Sequence, residues 1–226
     1  TDRIKEYFRS YNRSVQVIPN PVKVDPESLY NKPEVLLPTC NKLVAMGSMT
    51  TQKGFDLLIE VFANLYRHHS DWNLIILGEG ALKNELKSRA RELHIENAVF
   101  FAGRVKNPFS IMSRCDLFVL SSRYEGFPNA LLEAMASGLP PVSFDCPSGP
   151  AEIIQHGVNG YLVPPEDIKS MEKILSKLMK EEGLRIALGK EATKVRGEYA
   201  PEKIMKQWEM LLNNNSKRSH RWTQKC

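Results

Sequence analysis

Four times in succession, a short apolar run ending at or near a glycine or serine gives way to an amphipathic segment. KLVAMG precedes GFDLLIEVFANLYRHH, NLIILG precedes ALKNELKSRARELH, AVFFAG precedes NPFSIMSR, and DLFVLS precedes PNALLEAMAS. Runs this short and this apolar suit strands buried on both faces, and the segments between them suit covering helices. The alternation predicts an α/β fold, a Rossmann-like parallel sheet flanked by helices. In the first predicted helix Leu57, Leu58, Val61, Phe62 and Leu65 recur at helical spacing and form one buried stripe. Arg67, His68 and His69 fall at its last turn, where cations suit the negative end of the helix dipole. Both histidines are therefore read as surface residues at a helix end, not as ligands.

After PPVSF the chain enters DCPSGPAEIIQHGVNGYLVPPED, a segment punctuated by proline and glycine that holds a short helix and one more strand. Helical sequence then continues to about Leu212, closing with the amphipathic PEKIMKQWEMLL. Open α/β sheets bind ligands beyond the carboxyl ends of their strands. Residues 47–54, 78–80, 103–106, 121–128 and 145–150 all fall at such ends, so five loops are expected to converge on one edge.

The 226 residues leave room for one full α/β core. The net charge of +5 would suggest nucleic acid or an anionic membrane, but Lys217, Arg218, Arg221 and Lys225 lie in the last fourteen residues, which contain no acid. One surplus charge remains for the rest of the chain, so no nucleic-acid partner is expected. Residues 213–226 read as a polar, basic, disordered tail. Cys40, Cys115, Cys146 and Cys226 show no paired or metal-ligand spacing, which reads as reduced thiols. No apolar run approaches the length of a membrane span and no signal peptide is present, so a cytoplasmic location is expected.

Residues 121–140, SSRYEGFPNALLEAMASGLP, carry the chemistry. Glu125 and Glu133 flank a Gly-Phe-Pro turn that opens an apolar helix. Pro128 suits the first helical position, leaving Asn129, Ala130 and Leu131 to present backbone donors at the positive helix end. Such an end attracts phosphate. With one carboxylate at the mouth and the other a turn along the helix, a nucleoside diphosphate sugar would fit across the gap.

The stretch DLFVLSSRYEGFPNALLEAMASGLPPV closely resembles the glutamate-x7-glutamate signature of retaining GT-B glycosyltransferases of family 4, departing mainly at Pro141. The resemblance implies the donor-binding C-terminal half of a two-domain enzyme. Residues 1–21 would be the end of an N-terminal domain and the interdomain junction, residues 22–212 the nucleotide-sugar domain with its return helix. Glu125 and Lys53 would act on the reaction: Glu125 would hold the transferred sugar and stabilise positive charge at its anomeric carbon, and Lys53, within GSMTTQKGF, would clamp the diphosphate. Gly126, Phe127, Pro128, Asn129, Ala130 and Leu131 would line the phosphate end, and Glu133 would take both ribose hydroxyls. Gly47 and Ser48 would contact the donor from the first loop, and Arg104 and Val105 would pass the base, with uracil expected and guanine or adenine open. Relatives carry arginine at the position of Ser48, and Arg104 could supply that cation instead.

The same resemblance implies a hexosyltransferase of polysaccharide or lipopolysaccharide biosynthesis, with a glycan or lipid-linked acceptor held by the N-terminal domain and association with the inner membrane face left open. No cofactor and no metal are expected, since the chain has no Asp-x-Asp pair or histidine cluster to hold a diphosphate through a cation. Ser48 also keeps a second reading open, a non-catalytic donor-binding subunit that needs a partner chain, and a nucleotide-sugar epimerase is a third. A dehydrogenase is rejected because Gly78-Glu79-Gly80 lacks the third glycine of the dinucleotide fingerprint. A glycosidase is disfavoured because the two glutamates bracket a helix N-terminus instead of facing each other across a glycosidic bond.

Overall fold

Six strands form one sheet in which every neighbouring pair is parallel. The computed structural model describes residues 2–9, 15–24 and 26–222. In chain order its elements are α1 (Asp2–Arg9), α2 (Pro26–Tyr30), β1 (Asn41–Met46), a single 3-10 turn (Thr51–Lys53), α3 (Phe55–Tyr66), β2 (Trp72–Leu77), α4 (Lys83–Glu92), β3 (Val99–Gly103), α5 (Pro108–Met112), β4 (Leu117–Leu120) and α6 (Asn129–Ala136). There follow β5 (Pro141–Phe144), α7 (Pro150–Ile153), β6 (Tyr161–Val163), α8 (Ile168–Lys180), α9 (Glu182–Ala192), α10 (Val195–Glu198) and α11 (Pro201–Trp222).

The apolar runs are unbroken because the sheet is covered on both faces. Leu43, Ala45, Leu74, Ile76, Leu117 and Val119 point into one core, where α3, α4 and α8 supply Phe62, Leu86 and Leu175. Their neighbours Val44, Ile75, Leu77, Phe118 and Leu120 point into the other, beneath Ile111 of α5 and Leu132 and Met135 of α6. Successive side chains of a strand face opposite sides, so a strand buried on both spares few polar positions, here Asn73 in β2 and Ser143 in β5.

The spatial order is β3-β2-β1-β4-β5-β6. From β1 the chain winds one way through β2 and β3, and from β4 it winds the other way. The loops leaving β1 and β4 therefore diverge from adjacent strands and open a crevice between them. The five glycine- and proline-rich loops expected at strand ends all lie on this carboxyl edge, because every strand is parallel.

Two expectations are corrected. His69 is buried, 6% exposed, with Nε2 2.9 Å from Ser176 Oγ on α8. Burial lowers its pKa. The end of α3 packs on a helix more than a hundred residues later, which helical spacing alone does not reveal. Second, α11 runs on to Trp222, ten residues past the Leu212 boundary and into the stretch read as disordered. No proline or glycine interrupts residues 213–222, and extending a formed helix costs far less than starting one. The last four residues of that tail, with Cys226, lie outside the described residues; Cys40, Cys115 and Cys146 are free thiols. Among the described residues no helix is long and apolar enough to cross a membrane.

Candidate functional site

The crevice is built from two loops that touch along their length. After β1 the chain makes its 3-10 turn and leaves it through Gly54, whose φ of 61° is left-handed. A Cβ at Gly54 would lie 2.1 Å from the Ser121 carbonyl oxygen, so both the dihedral and the approach of the second loop require glycine. Ser121 Oγ donates to the Lys53 carbonyl at 2.8 Å, the Arg123 N–H to the Gln52 carbonyl at 2.8 Å, and Gln52 Nε2 to the Tyr124 carbonyl at 3.0 Å.

The Lys53 side chain crosses Gly47, where a Cβ would come within 3.1 Å of three of its methylene carbons. It ends with Nζ 2.6 Å from Glu125 Oε1. Ser122 Oγ donates to the same oxygen at 2.6 Å. The Glu125 side chain is 5% exposed and that of Lys53 16%. A carboxylate this deep is tolerable because it is paired and hydrogen-bonded. Its second oxygen, Oε2, has no donor among the described residues, yet no buried side-chain polar atom is left unpaired, so Oε2 remains accessible to a ligand. The sequence assigned Lys53 and Glu125 to separate parts of a donor; the structure puts them in contact.

Pro128 is displaced from its expected place. With ψ at 76° it stands as the N-cap of α6 and the helix begins at Asn129. The Asn129 N–H is consequently taken by the Phe127 carbonyl at 2.9 Å, and the Leu132 N–H bonds the Pro128 carbonyl. Of the three donors expected at this helix end, those of Ala130 and Leu131 meet no acceptor among the described residues. The Asn129 side chain accepts from Asn20 Nδ2 at 3.0 Å, which seats residues 15–24 beside this helix end. Val22, also in that segment, is buried and donates its N–H to the Tyr199 carbonyl. The Leu131 side chain is fully buried and Phe127 packs on Tyr199 with ring centroids 6.2 Å apart. From Leu131, then, the backbone is what a ligand can reach, whereas Phe127 is half-buried. Gly126 is exposed and a Cβ there would meet nothing within 4 Å. Pro128 is held from behind by Gly149, where a Cβ would lie 2.4 Å from Pro128 Cδ.

Glu133, one turn into α6, is half-buried, and its carboxylate has no hydrogen bond or ion pair among the described residues. Burial raises its pKa, as expected of a carboxylate that has lost water without gaining a partner.

Beside Lys53 lies a cavity of about 220 Å³ walled by Met46, Leu77 and Val105, with Gly47, Ser48, Glu79 and Arg104 at its rim. Glu79 is paired with Lys83 at 2.7 Å. Arg104 is exposed and without a partner among the described residues, which leaves its guanidinium available on the cavity that Ser48 also lines. Among the described residues no group of three or more His, Cys, Asp or Glu comes together to hold a metal ion.

Two contributors escaped the sequence reading. Ser122 lies three residues before Glu125, and Arg123 lies one further on; the spacing was visible, but their partners on the first loop were not.

Comparison with known proteins places this geometry among sugar transferases. The family model described as glycosyl transferases group 1 matches residues 30–195. The amylovoran biosynthesis glycosyltransferase AmsD of Erwinia amylovora is 34% identical over 173 residues, covering 76% of this chain and 48% of that protein. The lipopolysaccharide 1,6-galactosyltransferase of Escherichia coli K12 is 35% identical over 122 residues, covering 52% of this chain and 34% of that protein. Among solved structures, a mutant of S. aureus TarM in complex with Fondaparinux, alpha-GlcNAc-glycerol and UDP superposes with a TM-score of 0.83 at 28% identity, over 94% of this chain and 43% of that one. The chain spans about half the length of the curated relatives it matches.

Proposed function

The chain belongs to the glycosyl transferases group 1 family, and from that premise we propose that it binds a nucleoside diphosphate hexose, UDP-linked in the first instance, for retaining, metal-independent transfer as a member of family 4. Its fold is the Rossmann-like half of a GT-B glycosyltransferase. The observation that carries the reading is the contact of Lys53 with Glu125 at the point where the strand order reverses, next to the unengaged N–H groups of Ala130 and Leu131.

A diphosphate fits there because the Lys53 ammonium has three donors, of which Glu125 needs one. The helix-end amides add partial positive charge without any proton transfer. When the bond from the anomeric carbon to phosphate breaks, both electrons leave with the diphosphate, and Lys53, the two amides and Arg104 are placed to stabilise them. Glu125 Oε2 faces the sugar and its developing positive charge. Glu133 receives the ribose diol, and its lack of any other partner leaves both its oxygens available. The walled cavity at Met46, Leu77 and Val105 suits the flat face of a base, and UDP in the related TarM structure supports uracil. The acceptor, a glycan or lipid-linked sugar of the kind built in polysaccharide or lipopolysaccharide biosynthesis, is assigned to a domain outside this chain, where contact with the inner membrane face would also arise.

Calorimetric titration of the chain with UDP, GDP and ADP, repeated on Lys53→Ala, tests the reading. One diphosphate should bind, and the substitution should weaken it by about 1–3 kcal/mol, the range of a charge-assisted contact. Absence of binding by all three, or equal binding by the variant, would refute it.

A further inference from the structure

The geometry points to Arg123 as the positioning residue that sets Lys53 against Glu125, a role that rests on the donor-site reading above. Its guanidinium reaches both sides of the Lys53 turn. Nη1 donates to the Thr51 carbonyl at 2.8 Å, two residues before Lys53. Nη1 and Nη2 also grip Asp56, three residues after Lys53, through Oδ1 at 2.9 Å and Oδ2 at 2.7 Å. The 3-10 turn is thus held at its start and just past its end by one rigid planar group. Arg123 is itself two residues from Glu125, and its own N–H fixes the Gln52 carbonyl. Any rotation of the turn that carried Nζ away from Oε1 would break this fork.

A third anchor comes from the loop before α8. Nε donates to Glu166 Oε2 at 3.1 Å, and Glu166 sits at φ 57°, a left-handed conformation that disfavours residues with a side chain. Such conformations persist where the surroundings over-determine them. Here the loop is held in the form that aims Glu166 at Arg123. Lysine could supply the charge but not the fork, since its ammonium is a point charge and cannot grip Asp56 with two parallel bonds while also reaching Thr51. Individually these ion pairs are partly exposed and contribute little to stability. Their effect lies in geometry: they decide where Lys53 stands.

Two measurements on the chain test the role. In the ligand-free protein with ¹⁵N-labelled lysine, the Lys53 ammonium paired with Glu125 and Ser122's shared oxygen should give a protected NMR signal, assigned by its loss in Lys53→Ala. Arg123→Lys should abolish that protection while thermal unfolding stays cooperative, and Asp56→Asn should weaken it. An unchanged Lys53 signal in Arg123→Lys would overturn the proposal whether or not any nucleotide binds. The second measurement is a double-mutant cycle with UDP as the probe. Arg123→Lys should weaken UDP roughly tenfold in the parent and by less than about twofold in Lys53→Ala, because the loss acts through Lys53. An equal loss in both backgrounds would mean that Arg123 only stabilises the fold, and the proposal fails. If UDP, GDP and ADP all fail to bind the parent while Arg123→Lys still frees Lys53, the donor reading falls and the positioning role stands.

Discussion

Replacing Glu125 by glutamine should make the site bind UDP more tightly while it binds UDP-hexose more weakly. The Lys53 Nζ to Glu125 Oε1 distance is 2.6 Å, and a charge-assisted contact from Nζ to a phosphate oxygen would add about 2.8 Å at most. A diphosphate held by Lys53 therefore carries negative charge within about 5.4 Å of the carboxylate. At that distance the repulsion is about 0.8 kcal/mol in bulk water and about 3 kcal/mol at an effective dielectric constant of 20. Because Lys53 retains some exposure, about 1–2 kcal/mol is expected, or roughly five- to thirty-fold in affinity at low salt. The isosteric amide keeps a partner for Ser122 but loses the charge that holds sugar hydroxyls and the developing cation, so UDP-hexose should gain nothing or lose. Calorimetry with UDP and UDP-glucose on parent and Glu125→Gln, at two salt concentrations, reads both effects. If Glu125→Gln weakens UDP as much as Lys53→Ala does, Glu125 serves to hold Lys53 in place for phosphate, and the repulsion argument is wrong.

Glu133→Gln should separate binding from stability. Burial raises the Glu133 pKa above its ordinary 4.5, so the folded protein holds this proton more tightly than the unfolded chain and loses stability as pH rises through the folded pKa. The variant should therefore unfold at higher temperature than the parent at pH 8, with the difference vanishing below pH 4.5, while UDP binding weakens; an identical difference at both pH values would contradict this. Gly54→Ala forces a side chain into a left-handed position and against the Ser121 carbonyl, and should cost about 3 kcal/mol or more by denaturant unfolding; a loss under about 1 kcal/mol would show that the two loops are not rigidly apposed. Asp56, held low by Arg123, should contribute stability above pH 3.8 that is lost as pH falls through its depressed pKa, a slope that Asp56→Asn should remove from acid unfolding curves. Burial pushes the Cys146 thiol up to about 11, so at pH 8 iodoacetamide should label it only after unfolding.

The strand and helix sequence was legible because hydrophobic period is a local property. Runs such as Leu74–Leu77 are wholly apolar, which suits a sheet covered on both faces. The helix that opens after Gly-Phe-Pro was legible for the same reason, though its first residue was not, since Pro128 packs against Gly149 of a separate loop. The placement of His69 and the reach of α11 were likewise hidden, one because burial against α8 is a distant event, the other because a polar helix and a polar tail are written in nearly the same residues.

The sequence by itself determined the class of fold, the loops that gather at one edge, and which carboxylates, lysine and helix end stand among them. Tertiary structure alone decided their pairing. Lys53 and Glu125 lie 72 residues apart, on loops that share no periodicity, and meet because the strands before them are neighbours where the winding reverses. Arg123 shows the same limit: its letter stood inside the most informative stretch of the chain, but its role depends on Thr51, Asp56 and Glu166, which only the assembled fold brings within reach of one guanidinium.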